Sequence, residues 1–499
     1  MFKTKEAKHK LVVIGDSLSQ GFSNGGIYRT DLSFPAFITR CFDPEPAFDQ
    51  PRFTAQAGIP LNLEVLLRGL SDEFGPEIEW NEYMGVASST FKTLKRIKKY
   101  WEGGMKSLAI DQATPFHNQS IWGFAINDSW IVNAKNSREY IQNNKDKLSV
   151  FGMLPVHAKY TTARLVLNPT LGNKCAENTQ LKNAEILSKD GGIENLIVCL
   201  GHNNGLGAVV NLRFTWSEPE DLTGFTADRK YSIYRPEHFE QEYRDMAERV
   251  SKLNAKRVFV PTIPYPTIPP VCRGVNSSIS SKSLGYFDYY TRFWIWDADF
   301  NPDKHPHLTK DEAIQVDLAV DAYNSIIRKI AKEYGWFVVP MAKNVAAMAH
   351  RRLGGEILRS YPADFAAALK RNPATEHLVN EQGEVTLTTD FIRAHKDTGK
   401  IYKGGIFSLD GLHPTTIAYG LMANVYREVM RQAGVKFQKP LDWDYIIAQD
   451  SLVTRPPVLL TELRQVLRYL GMGNQERFFH FGKDILTQAL ELLSTGRER

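Results

Sequence analysis

Cysteine is scarce and scattered. Four occur in 499 residues, Cys41, Cys175, Cys199 and Cys272. They show no CxxC spacing and no metal-ligand pattern, so neither a disulfide framework nor a cysteine-based metal centre is expected. Cys199 lies inside an apolar run and reads as a small buried hydrophobe. Long apolar stretches are missing too. None reaches the roughly 18 residues that a membrane-crossing helix needs, so no transmembrane segment is expected. The basic stretch MFKTKEAKHK is followed only by LVVIG, too short an apolar region for a secretory signal, and a cytoplasmic protein is the expectation. Charge of one sign is not in excess: 61 Lys and Arg stand against 56 Asp and Glu, which gives no reason to expect a nucleic-acid partner. The local cluster Lys92, Lys95, Arg96, Lys98 and Lys99 reads as the solvated face of a helix. The glycines at 172 and 191–192 lack the spacing of a phosphate-binding loop. No cofactor is expected.

What is present is an ordinary folded composition, 43% apolar and 23% charged. Short runs rich in Val, Ile and Phe recur at 11–15 (LVVIG), 195–200 (NLIVCL), 257–261 (RVFVP) and 336–340 (WFVVP). Continuous runs of this kind suit strands buried on both faces. A weaker strand candidate is 78–85 (IEWNEYMG). Helical patterns lie between the runs. Pro236 opens one; Thr309 and Glu312 have capping-box spacing before another, which stops at Gly335; Pro414 takes the first position of a third, which stops at Gly434. Strands alternating with helices imply a three-layer α/β/α fold around a central parallel sheet, over about 8–438. Segments 101–175, 262–308 and 343–404 read as large loop insertions, the last mainly helical. After Pro440 the character changes, and 441–499 reads as a helical C-terminal extension, a surface for self-association into a homo-oligomer or for a partner.

Two stretches carry chemistry. LVVIGDSLSQG (11–21) is a strand pattern that stops at glycine and places Ser17 just beyond it. IFSLDGLHPTT (406–416) places Asp410 three residues before His413. A serine hydroxyl becomes a nucleophile when an imidazole takes its proton and a carboxylate holds the imidazole. GHNNG (201–205) follows another strand, and ligands of a parallel sheet bind outside the carboxyl ends of its strands. Asn203 and Asn204 are both candidate amide donors to an oxyanion.

Gly15-Asp16-Ser17-Leu18 with Ser19 resembles the opening block of the GDSL, or SGNH, hydrolase family. Gly201-His202-Asn203-Asn204 resembles its GxND block, with asparagine in the aspartate place, and Asp410-Gly411-Leu412-His413 is similar to its DxxH block. The resemblance implies a flavodoxin-like strand order, Ser17 as nucleophile, His413 as base, Asp410 as its orienting acid and Asn203 as the oxyanion amide. It also implies that backbone N–H groups of Ser17 and of a second block complete the oxyanion hole. The nearest match to that block is GVASST (85–90), which puts Ser88 where glycine is expected, with Gly85 as the alternative.

Each residue also has a plainer reading. Ser17 alone reads as a helix cap, Asp410 as a turn residue and His413 as a helix-entry residue. Asp16 reads as a cap rather than a chemical group, and His202 as structural or a pocket wall. Asp303, His305 and His307 alternate in a proline-punctuated loop, and no metal is expected. The aromatic run Tyr286 to Trp296 suits a substrate pocket or the core equally. Taken together the blocks point to a serine hydrolase acting on a small-molecule or lipid ester. The alternatives are acyl transfer on the same triad, or a silent member of the fold that binds a ligand or partner.

Overall fold

The computed structural model describes residues 7–460 except 54–57, 104–113, 145–156, 223–229, 276–278, 280–283, 296 and 359. At its centre is a four-stranded parallel sheet built from the expected runs: β1 (His9–Gly15), β2 (Ile193–Cys199), β3 (Arg257–Pro261) and β4 (Phe337–Val339), in that spatial order. Val13 pairs with Ile197, Ile197 with Phe259 and Phe259 with Phe337. A fifth stretch lengthens the sheet on the other side of β1. Val13 N–H donates to the His117 carbonyl (2.8 Å), Gln119 N–H to Val13 (2.8 Å) and Ile121 N–H to Gly15 (3.0 Å).

Side chains of a strand alternate between faces, and here both faces are covered. Leu11, Val13, Ile197, Cys199, Phe259 and Val339 join one buried cluster; Val12, Ile14, Leu196, Val198, Val258 and Val260 join the other. The first cluster is filled from helix α2 (Tyr83–Lys98) and other helices, the second from α3 (Gln180–Lys189), α4 (Pro236–Ser251) and α5 (Lys310–Tyr334). Fully burying one such aliphatic or aromatic side chain contributes about 1.5–3 kcal/mol, so the two-sided run, not local propensity, holds these strands. On α2, Leu94 and Ile97 are buried whereas Lys92, Lys95 and Arg96 are exposed, a solvated face.

The capping box of α5 is formed. The Thr309 hydroxyl accepts the Glu312 N–H (3.3 Å), the Glu312 carboxylate accepts the Thr309 N–H (2.8 Å), and the helix ends at Gly335 with φ +69°. Three local expectations need correction. Residues 78–85 are not a strand: a turn at Trp80–Glu82 leads into α2, and the Glu82 carboxylate takes the Glu79 N–H (2.8 Å). Pro414 is not the first helical residue. Thr415 caps α6 (Thr416–Gln432) by accepting the Ala418 N–H (3.3 Å). Residues 343–404 are not mainly helical. Beyond the helices Met341–Ala346 and Ala363–Arg371 they form turns and a small antiparallel ribbon, Arg393–Ala394 with Ile401–Lys403.

In 262–308 a three-stranded antiparallel sheet joins Arg273–Val275, Tyr289–Thr291 and Leu308–Thr309. Past Pro440 the chain packs onto the first core cluster through α7 (Trp443–Gln449), where Trp443, Ile446 and Ile447 are buried. Of the helical extension expected over 441–499, the part beyond residue 460 lies outside the described residues. Among those described, no helix is long and apolar enough to cross a membrane.

Candidate active site

Ser17 begins α1 (Ser17–Gln20), a single turn separated from the end of β1 by Asp16 alone. Asp16 caps it: Oδ1 accepts the Leu18 N–H (3.1 Å). The turn closes through Gly21 and Phe22, whose N–H groups donate to the Ser17 carbonyl at 3.2 and 3.1 Å. Asp16 N–H donates to the Cys199 carbonyl (3.1 Å), so the ends of β1 and β2 are tied where they meet the site.

The loop after β2 turns at Gly201, with φ +113°. A Cβ there would stand 3.1–3.2 Å from Ile263 and the Phe239 ring, so a side chain at this position is both strained and tightly crowded. His202, Asn203 and Asn204 form one tight turn. His202 Nδ1 lies 2.9 Å from Asp16 Oδ2. Asn203 Nδ2 donates to the Phe124 carbonyl (2.8 Å). Asn204 is fully buried, accepts the Ile126 N–H (3.2 Å) and reaches Glu242 (3.3 Å). Of the two asparagines, Asn204 locks the loop in place and Asn203 lines the cavity.

The third loop is a narrow bend. Ser408 N–H donates to the His413 carbonyl (2.8 Å) and Thr415 N–H to Ile406 (3.0 Å). The Asp410 carboxylate is saturated inside it. Oδ1 accepts the N–H groups of Leu412 (2.9 Å) and His413 (2.8 Å); Oδ2 accepts the Gly25 N–H (2.9 Å) and lies 3.0 Å from His413 Nδ1. Burial alone would push this carboxyl up. The imidazole and the two N–H donors of its own loop outweigh burial and hold it below the ordinary carboxylate range. With Nδ1 directed at Asp410, Nε2 is the ring nitrogen left to accept a proton. The Phe22 ring packs 4.3 Å from the His413 ring, centroid to centroid.

Ser17, His202, Asn203 and His413 line one cavity of about 130 Å³ whose other walls are mostly apolar, among them Leu18, Ile263, Met341, Ile406 and Leu421. Among the described residues the Ser17 hydroxyl makes no hydrogen bond to His413. Gly85 and Ser88 are not brought here. Both sit within α2, Ser88 exposed and Gly85 against the Phe74 ring, and neither lines the cavity. The helical packing of Val86, Leu94 and Ile97 took that segment away from the sheet edge. Its place beside Ser17 is filled by 117–126, which sequence reasoning missed. Trp122 N–H donates to Gln20 Oε1 (2.9 Å), and Gly123 follows with φ +74°. The only signal was a short apolar step, Ile121-Trp122, ending at a glycine.

One grouping with metal-ligand spacing exists among the described residues: atoms of Asp16, Cys199 and His202 lie within 4.8 Å of one another. Burial pushes the Cys199 thiol well up, which opposes the thiolate a metal needs, and His202 Nδ1 already faces Asp16. Asp303, His305 and His307 do not converge; His305 Nδ1 accepts the Asn301 N–H (3.0 Å), and His307 Nδ1 faces the His305 carbonyl (2.9 Å).

No protein-family model matches the chain, and no curated protein matches it. A crystal structure described as a "putative GDSL-like lipase" from Parabacteroides merdae aligns with 86% of this chain and 98% of its own, at 12% identity and a TM-score of 0.25. A likeness of that size bears on neither fold nor function.

Proposed function

We propose that the chain is a serine-dependent hydrolase of carboxylic esters of the GDSL, or SGNH, type. The observation that carries this reading is that His413, with Asp410 3.0 Å from its Nδ1, lines the same apolar cavity as Ser17. The strand order supports it. With 117–121 counted as the second stretch, the sheet runs second, first, third, fourth, fifth, the flavodoxin-like order.

His413 Nε2 takes the Ser17 proton as Oγ forms a bond to the ester carbonyl carbon. The carbonyl π pair moves to oxygen, and the oxyanion is met by the Asn203 amide and the Ser17 N–H. Collapse expels the alkoxide, which leaves with the proton from His413. Water, deprotonated by His413, then releases the acid and restores Ser17. Hydrogen bonds of this kind are often long before substrate binds and tighten in the complex. The apolar walls favour an acyl chain.

The test is labelling with an organophosphonate alongside hydrolysis of p-nitrophenyl esters of graded chain length. Wild type is expected to label once and to hydrolyse; Ser17→Ala is expected to do neither. If folded wild type neither labels nor hydrolyses any ester, the reading falls.

A further inference from the structure

A second cavity, of about 200 Å³, adjoins the first across a shared wall. Pro266, Pro269 and Met348 face the Ser17 cavity, whereas their neighbours Thr267, Ile268, Pro270 and Ala349 face the second. The chemistry on the two sides is opposite. Four cations, Arg273, Arg351, Arg393 and Lys403, line the second cavity against two carboxylates, Asp297 and Asp390. A fifth cation, Arg352, is matched by buried Asp317 at 2.7 Å. The aromatic run contributes Phe287, Tyr290 and Phe293 here, not to the Ser17 cavity; Trp296 lies outside the described residues.

Asp390, buried, is shared by His350 Nδ1 (3.0 Å), Lys403 Nζ (3.5 Å) and Arg351 Nε (3.7 Å). Asp297, which holds Arg273, is largely in solvent. Arg351 packs 4.8 Å over the Phe287 ring and gives Nη2 to the Gly274 carbonyl (2.8 Å). Arg352 Nη2 is buried without a hydrogen-bond partner in the protein. Burial lowers the pKa of Arg351, and the Arg273 guanidinium lowers it further. Arg273 is lowered by burial and by Arg393, against the pull of Asp297. Both remain charged at neutral pH. Crowded, desolvated guanidiniums repel one another, and a multiply charged oxyanion relieves that repulsion while matching their planar forks.

We propose that this cavity binds a phosphate-type oxyanion, carried either by the ester that Ser17 attacks or by a separate small phosphate compound. The site does not depend on the hydrolase reading.

Calorimetric titration of the full chain with inorganic phosphate tests the site. Wild type and Ser17→Ala are expected to bind alike. Arg351→Gln is expected to weaken binding about tenfold or more, since one charge-assisted hydrogen bond is lost. Lys403→Gln, at a half-exposed position, is expected to weaken it at least about threefold. No binding to folded wild type, or binding by either variant as tight as that of wild type, overturns the proposal. Hydrolysis of a lysophosphatidic acid against the uncharged monoacylglycerol of the same chain identifies the source. A preference for the phosphorylated ester that both variants lose assigns the anion to the substrate. Phosphate binding without such a preference assigns it to a separate compound. If Ser17 proves inert while phosphate still binds, the hydrolase reading fails and this one stands.

Discussion

His202 Nδ1 and Asp16 Oδ2 stand 2.9 Å apart, so the acid that precedes Ser17 holds the loop that presents Asn203. Two imidazoles, His202 and His413, thus line one cavity, each with its Nδ1 facing a carboxylate, Asp16 and Asp410. The second has the geometry of a base and its orienting acid, and the first that of a brace.

Asp16→Asn separates these roles. Asparagine keeps an oxygen for the Leu18 N–H, so α1 stays capped, but the anion facing His202 is gone. We expect kcat to fall about tenfold with KM nearly unchanged, the scale of one charge-assisted hydrogen bond. An unchanged kcat in steady-state ester hydrolysis would show that the brace does not position the site.

Asp410→Asn should be far more damaging. It removes the charge that orients His413 and turns an amide N–H toward the Gly25 N–H. The expected loss is about 10³–10⁴-fold in kcat, as for other triads deprived of this anion. A variant within tenfold of wild type would take Asp410 out of the mechanism.

Gly411 has φ +72°, and a Cβ would stand 3.1 Å from both the Phe293 ring and the Val271 nitrogen, which donates to the Gly411 carbonyl at 2.8 Å. Gly411→Ala is expected to cost about 1–3 kcal/mol in denaturant unfolding and to lower kcat by shifting the His413 loop. Undiminished stability would mean that the bend tolerates a side chain.

Two buried groups give stability opposite pH slopes. Burial raises the Asp450 carboxyl to about 7, although the Ile417 and Val453 N–H groups donate to it. Between about pH 4 and 7 the folded chain then holds a proton that the unfolded chain releases, so this group favours folding at low pH and its stabilisation is lost as pH rises. Burial lowers His117 to about 4. Between about 4 and 6.5 the unfolded chain holds the extra proton, so stability from this group grows with pH. Each slope is at most about 1.4 kcal/mol per pH unit, and the two largely cancel. Asp450→Asn should therefore show unfolding free energies that rise from pH 4.5 to 6.5, and His117→Gln values that fall. Parallel profiles for both variants would refute the assignment.

The four strands were legible in the sequence because a strand buried on both faces must be apolar throughout. The start of α5 was legible because Thr309 and Glu312 satisfy each other's backbone locally. The Asp410–His413 contact spans three residues and needs only one bend. The edge of the sheet was not legible: 117–121 is held by backbone N–H and carbonyl groups that every residue possesses, while 85–90, motif-like in its letters, follows Val86, Leu94 and Ile97 into a helix. The cationic cavity gathers residues 273, 351, 393 and 403, which are far apart in the chain and locally unremarkable. Local pattern thus determined which segments are strands and which short turns carry reactive groups, since periodicity and capping act over a few residues. Tertiary packing alone decided which turns share a cavity and which charges face one another, because those contacts follow from how distant apolar faces are buried together.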